Sequence, residues 1–146
     1  MKATDQPIVV SQVFNSSVDN VWKAITELHQ MRQWFFENIP EFKAEVSFKT
    51  QFNVASEERN FLHLWEILEV TPQQQIVYSW KYKEYKGAAL VSFELTKTDS
   101  RTLLTLTNKV LEDFPENIPE FKTESCVAGW EYFIKNRLKT YLQSSK

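Results

Sequence analysis

The chain has 146 residues, enough for one domain with its own core and too few for two. Its 17 Lys plus Arg stand against 19 Asp plus Glu, a net charge of -2 that lacks the basic excess of a nucleic-acid binder. One cysteine, Cys126, excludes an intrachain disulfide and a cysteine-based metal site, and two glycines exclude every glycine-rich phosphate cradle.

Aromatic residues reach 14%, which calls for either a heavily packed core or an apolar cavity. The first residues are polar, and no run approaches the roughly 18 apolar residues of a membrane span. A cytoplasmic location without membrane insertion is expected.

Ile8 to Phe14, β-branched and aromatic, predicts a first strand. Ser16 with Asp19 resembles a capping arrangement. Val18, Val21, Trp22, Ile25 and Leu28 follow at helical spacing, so an amphipathic helix is predicted over 17–30. Trp34-Phe35-Phe36 is a short helical or irregular piece, bounded by Pro40, which disfavours helix at Ile39.

The period then changes to two. Val46, Phe48, Phe52 and Val54 alternate with polar residues, and Phe61 to Val70 is a long strand closed by Thr71-Pro72. Ile76 to Tyr82, Ala89 to Leu95 and Thr102 to Val110 complete an antiparallel meander, with Lys83 to Ala88 predicted as a loop holding Gly87. After a proline-containing loop, Trp130, Phe133, Ile134, Leu138, Tyr141 and Leu142 form the apolar stripe of a final helix over about 124–142. That helix is the only long element left to cover the sheet.

Glu37 to Lys43 recurs letter for letter as Glu116 to Lys122. The flanks do not repeat, so this is no repeat protein. Either two loops solve a similar turn problem, or paired loops frame one opening.

Four segments in this order carry a resemblance. They are Val21-Trp22-Lys23-Ala24-Ile25-Thr26 with Trp34-Phe35; Glu66 to Pro72 with Ile76 to Trp80; Val91 to Leu95 with Thr102 to Thr107; and Gly129-Trp130 with Leu138 and Tyr141-Leu142. Together they resemble the family of activator of heat-shock-protein-90 ATPase homologues, within the START-related helix-grip superfamily. The resemblance implies an α+β helix-grip fold: a seven-stranded antiparallel sheet curled around a long C-terminal helix, with two short helices after the first strand. It covers only the C-terminal-type domain of the eukaryotic activators. Two departures stand out. Thr50-Gln51 replaces a Gly-Gly pair common in the family, and the terminal helix is one residue longer between Ile134 and Leu138.

In many members of the superfamily an apolar cavity lies between sheet and helix. Here its implied lining is Trp34, Phe36, Phe52, Trp65, Tyr78, Trp80, Tyr82, Phe93, Trp130 and Phe133. The expected function is non-catalytic binding of a small hydrophobic or amphipathic ligand there. The alternative is a co-chaperone-like interaction domain with a chaperone as partner. A binder needs a cavity of roughly 300 Å³ or more. Trp34 and Phe36 are expected to close it partly, with Phe42 and Phe121 anchoring its rims.

No catalytic set is legible. His29 suits a helix end, and His63 has no second His or Cys near in sequence to share a metal. Cys126, at a helix start, packs more naturally than it reacts. Glu66 and Glu69, three apart on one strand, are expected to face opposite sides. No Gly-x-Ser-x-Gly elbow is present. No metal and no cofactor are expected.

Overall fold

A computed structural model describes residues 1–144. Strand β1 (Ile8–Phe14) leads into two short helices, α1 (Val18–Thr26) and α2 (Leu28–Trp34). Five strands follow: β2 (Lys49–Ser56), β3 (Arg59–Thr71), β4 (Gln75–Tyr82), β5 (Tyr85–Thr98) and β6 (Arg101–Glu112). A 3₁₀ turn (Pro119–Phe121) enters a continuous terminal helix made of α3 (Thr123–Glu131), a π-helical stretch (Tyr132–Leu138) and α4 (Lys139–Ser144). The strands form one antiparallel sheet in the order β1-β6-β5-β4-β3-β2.

The helix predicted over 17–30 is two helices, capped by Ser17, whose hydroxyl oxygen accepts from the Asn20 N–H at 3.1 Å. The break has a visible cause. The Trp34 indole N–H donates to the Ala24 carbonyl at 2.7 Å, taking the acceptor that a continuing helix would offer to Leu28. Glu27 is extended there, with φ -91 and ψ 126.

The sheet has six strands, not the seven implied by the resemblance. The alternation at Val46 and Phe48 does not become a strand. Ser47 adopts φ 75, Glu45 and Phe48 form a tight turn, and pairing to β3 is limited to two hydrogen bonds with Ile67. The left-handed residue thus falls at Ser47, and Thr50-Gln51 stay extended within β2 without glycine. Gly87 is also not in a loop. It lies inside β5 at φ 117, where a Cβ would overlap the Phe114 ring.

The inward sheet face is Phe61, His63, Trp65 and Ile67 of β3, Ile76, Tyr78 and Trp80 of β4, and the alternate buried positions of β5 and β6. A bulge between Ile67 and Glu69 resets the alternation, so Glu66 pairs with Ser79 and Glu69 with Val77, on the same outward face. The expectation that these carboxylates face opposite sides is corrected by that one extra residue.

The terminal helix lays Trp130, Ile134, Leu138 and Leu142 on the sheet's inward face. These are spaced by fours. In an unbroken α-helix each fourth residue drifts about 40° around the axis. The wider π stretch, with its i to i+5 bonds, takes up that drift and keeps the four residues on one side.

Candidate functional site

The three consecutive rings after α2 go to three places. Trp34 stacks on Phe35 at 4.6 Å between centroids and is fully buried. Phe35 occupies the centre of the core, against Trp65, Trp80, Trp130 and Phe133. Phe36 packs on Phe52 and His63 and reaches a cavity of about 150 Å³ between the sheet and the terminal helix.

The sheet contributes His63, Trp80, Tyr82, Ala89 and Asn108 to the cavity wall. The terminal helix contributes Cys126, Gly129, Trp130 and Phe133, and the connecting segments add Phe36, Phe114, Glu120, Phe121 and Met1. Of the residues expected from the sequence, Phe36, Trp80, Tyr82, Trp130 and Phe133 stand in this wall. Phe52, Trp65, Tyr78 and Phe93 lie outside it, in a continuous aromatic layer. Phe52 meets Trp65 at 4.8 Å, Trp65 meets Tyr78 at 5.0 Å, and Tyr78 meets Phe93 at 5.9 Å. Trp34 is also outside the wall.

The paired loops divide as well. Phe121 of the second copy is in the wall, while Phe42 of the first packs on Phe48, Trp65 and Tyr78. Glu120 stands at the partly exposed mouth and receives the Arg59 guanidinium at 2.8 Å.

Two groups of the wall are charged, the Met1 ammonium, which donates to the Phe121 carbonyl at 2.9 Å, and the Glu120 carboxylate; the other polar groups are neutral. His63 is 5% exposed, and its Nδ1 lies 3.0 Å from the Phe61 carbonyl. A carbonyl only accepts, so Nδ1 carries the proton and Nε2 keeps a lone pair. Burial lowers His63 to about 4, against the raising pull of that carbonyl and of the Glu84 charge. Burial also pushes the Cys126 thiol up to about 11 and raises Tyr82 above its ordinary range. The Tyr82 oxygen accepts from the Trp80 indole at 2.7 Å. Asn108 Nδ2 donates to Cys126 Sγ at 3.5 Å, while Asn108 Oδ1 is buried with no partner among the described residues.

Two of these wall residues carry a signal in the sequence itself. Asn108 interrupts the inward series Leu104, Leu106, Val110 of β6, and His63 interrupts Phe61, Trp65, Ile67 of β3. A polar residue at an inward position of an alternating strand marks an interior that is not simply packed.

Such a wall can hold a small ring and offer it hydrogen bonds. Among the described residues there is no group of three or more His, Cys, Asp or Glu that could hold a metal ion. Among them too, no helix is long and apolar enough to cross a membrane.

Comparison with solved structures shows the same fold in proteins of low identity. DynU16, a protein in the dynemicin biosynthetic locus, aligns with a TM-score of 0.75 at 23% identity, over 97% of this chain and 49% of its own. This chain thus spans about half the length of DynU16. CV1439 from Chromobacterium violaceum aligns with a TM-score of 0.77 at 18% identity, over 94% of this chain and 96% of its own. CalU16 from Micromonospora echinospora aligns at 0.62 and 18% identity, over 95% of this chain and 77% of its own. No curated protein matches the sequence directly. The family model that describes the activator of Hsp90 ATPase homolog 1-like proteins matches residues 15–143, nearly the whole chain, and the chain belongs to that family.

Proposed function

We propose that the protein binds a small apolar or amphipathic ligand, without catalysis, in the cavity between sheet and terminal helix. One observation carries this reading: the chain leaves about 150 Å³ unfilled in a cavity that Gly129 lines, and a Cβ at Gly129 would meet nothing within 4 Å. Glycine inside a helix is destabilising, and its placement against open space preserves the cavity. The volume is half the roughly 300 Å³ expected of drug-sized sites, and matches an engineered void known to take benzene. The ligand is therefore ring-sized, and Phe36, Trp80, Trp130 and Phe133 are its apolar contacts.

Trp80 and Trp130 stand in the wall, so their fluorescence reports occupancy directly. Titration with toluene should give saturable quenching in the wild type. Phe36→Ala, which removes one wall, should change the toluene affinity several-fold. Absence of saturable quenching at millimolar toluene would overturn the reading.

The family description supports a second reading, stimulation of the Hsp90 ATPase. Val9 and Val13, on the outward face of the edge strand β1, are 60% and 36% exposed and offer apolar surface for it. ATP hydrolysis by purified Hsp90, measured with and without this protein, tests that role.

A further inference from the structure

Asn108 occupies an inward position of β6 with 7% of its surface exposed, and only half of its side-chain amide is used. Its Nδ2 donates to Cys126 Sγ at 3.5 Å. With Nδ2 on the sulfur, the amide oxygen is turned away from it. Asn108 Oδ1 is left buried and without a donor, a condition native interiors rarely keep. Around it stand rings, a neutral imidazole and a protonated thiol, and the two charges of the wall are each engaged, the Met1 ammonium with the Phe121 carbonyl and Glu120 with Arg59. A charged ligand would give up its hydration for groups already engaged, whereas a neutral ligand gives up less. A water at the same carbonyl would be replaced bond for bond by a ligand hydroxyl or amine.

We propose that the cavity selects a neutral, single-ring molecule bearing a hydrogen-bond donor, of the phenol or aniline class, with the donor on Asn108 Oδ1 and the ring among Trp80, Trp130 and Phe133. The proposal rests on the cavity being a ligand site, and adds the recognition chemistry. Phenol and toluene are close in shape and differ in the donor. Phenol gives up more hydration on entry, so a preference for it reports the carbonyl and not the ring.

The test is a calorimetric titration of the wild type and of Asn108→Leu with each compound. The wild type should bind phenol roughly tenfold more tightly than toluene, because toluene leaves the buried carbonyl unmet. Asn108→Leu should lose the phenol preference and keep toluene binding, which also shows that the variant retains the cavity. Equal or tighter toluene binding by the wild type overturns donor recognition while leaving the ligand site standing. So does a phenol preference that survives in Asn108→Leu. If neither compound binds the wild type, the ligand site itself falls. Should Asn108→Leu not fold, the wild-type comparison alone decides, with Asn108→Ala as the second variant.

Discussion

At the scale of single residues, His63 has the strongest consequence for stability. It sits among Phe36, Phe52, Trp80 and Tyr82, and burial lowers it from 6.5 to about 4. In the unfolded chain it takes up a proton near its ordinary value, so between those two values the unfolded state binds more protons than the native one. Stability from this group is complete above pH 6.5 and is lost as pH falls toward 4. At about 1.4 kcal/mol per unit, the loss over the whole window is on the order of 3 kcal/mol. Urea midpoints measured between pH 7.5 and 4.5 should therefore fall more steeply in the wild type than in His63→Phe. Parallel curves would mean that the imidazole is not desolvated in the native state. Asn108 belongs to the same scale. Both residues were legible as polar interruptions of an inward series, but the sequence says nothing of whether such a residue finds a partner.

Among the elements, the terminal helix was read almost completely from its apolar stripe, and its internal geometry was not. Trp130, Ile134, Leu138 and Leu142 were all placed inward by spacing, and all are buried. The extra residue before Leu138 was visible against the family pattern. Its structural answer, a π stretch over Tyr132–Leu138, depends on the sheet demanding that all four residues stay on one side. The strands were legible because alternation is local. The break at Glu27 was not, because it depends on a hydrogen bond between residues ten apart in sequence, Trp34 to Ala24. The missing seventh strand and the bulge at Leu68 were hidden for a similar reason, since alternation does not announce a left-handed residue or an extra one. The π stretch yields its own prediction. Asn136 is exposed, and deleting it would bring the buried positions to the spacing i, i+4, i+7, i+11, the stripe of an ordinary α-helix. The deletion variant should stay folded, with a melting temperature within a few degrees of wild type and unchanged helical circular dichroism. Deleting Ala128 in α3 instead, also exposed, would shift Trp130 and everything after it out of register, and should melt far lower. Equal losses from the two deletions would mean that the π stretch is not an absorbed insertion.

For the molecule as a whole, the cavity is a cost that the sequence had the means to avoid. The core holds rings enough to stack a continuous aromatic layer from Phe52 to Phe93, yet about 150 Å³ stays open beside Gly129. An enclosed void carries a penalty of about 24 cal/mol per Å³, so this volume represents at most about 4 kcal/mol of stability not taken, and less because its mouth is open. Gly129 is not held in a left-handed conformation, and a Cβ there would meet nothing within 4 Å, so neither backbone strain nor a close neighbour requires glycine. Gly129→Leu should therefore act in two directions. Replacing a helical glycine recovers roughly 0.5–1 kcal/mol, and burying the new side chain adds to it, so the denaturation midpoint should rise. The same side chain would fill the cavity between Gly129 and Asn108, and saturable toluene quenching should disappear. A gain in stability with a loss of binding is the signature of a site maintained against packing. A variant that is less stable than wild type, or that binds toluene unchanged, would show that the open space beside Gly129 is not the space the ligand uses.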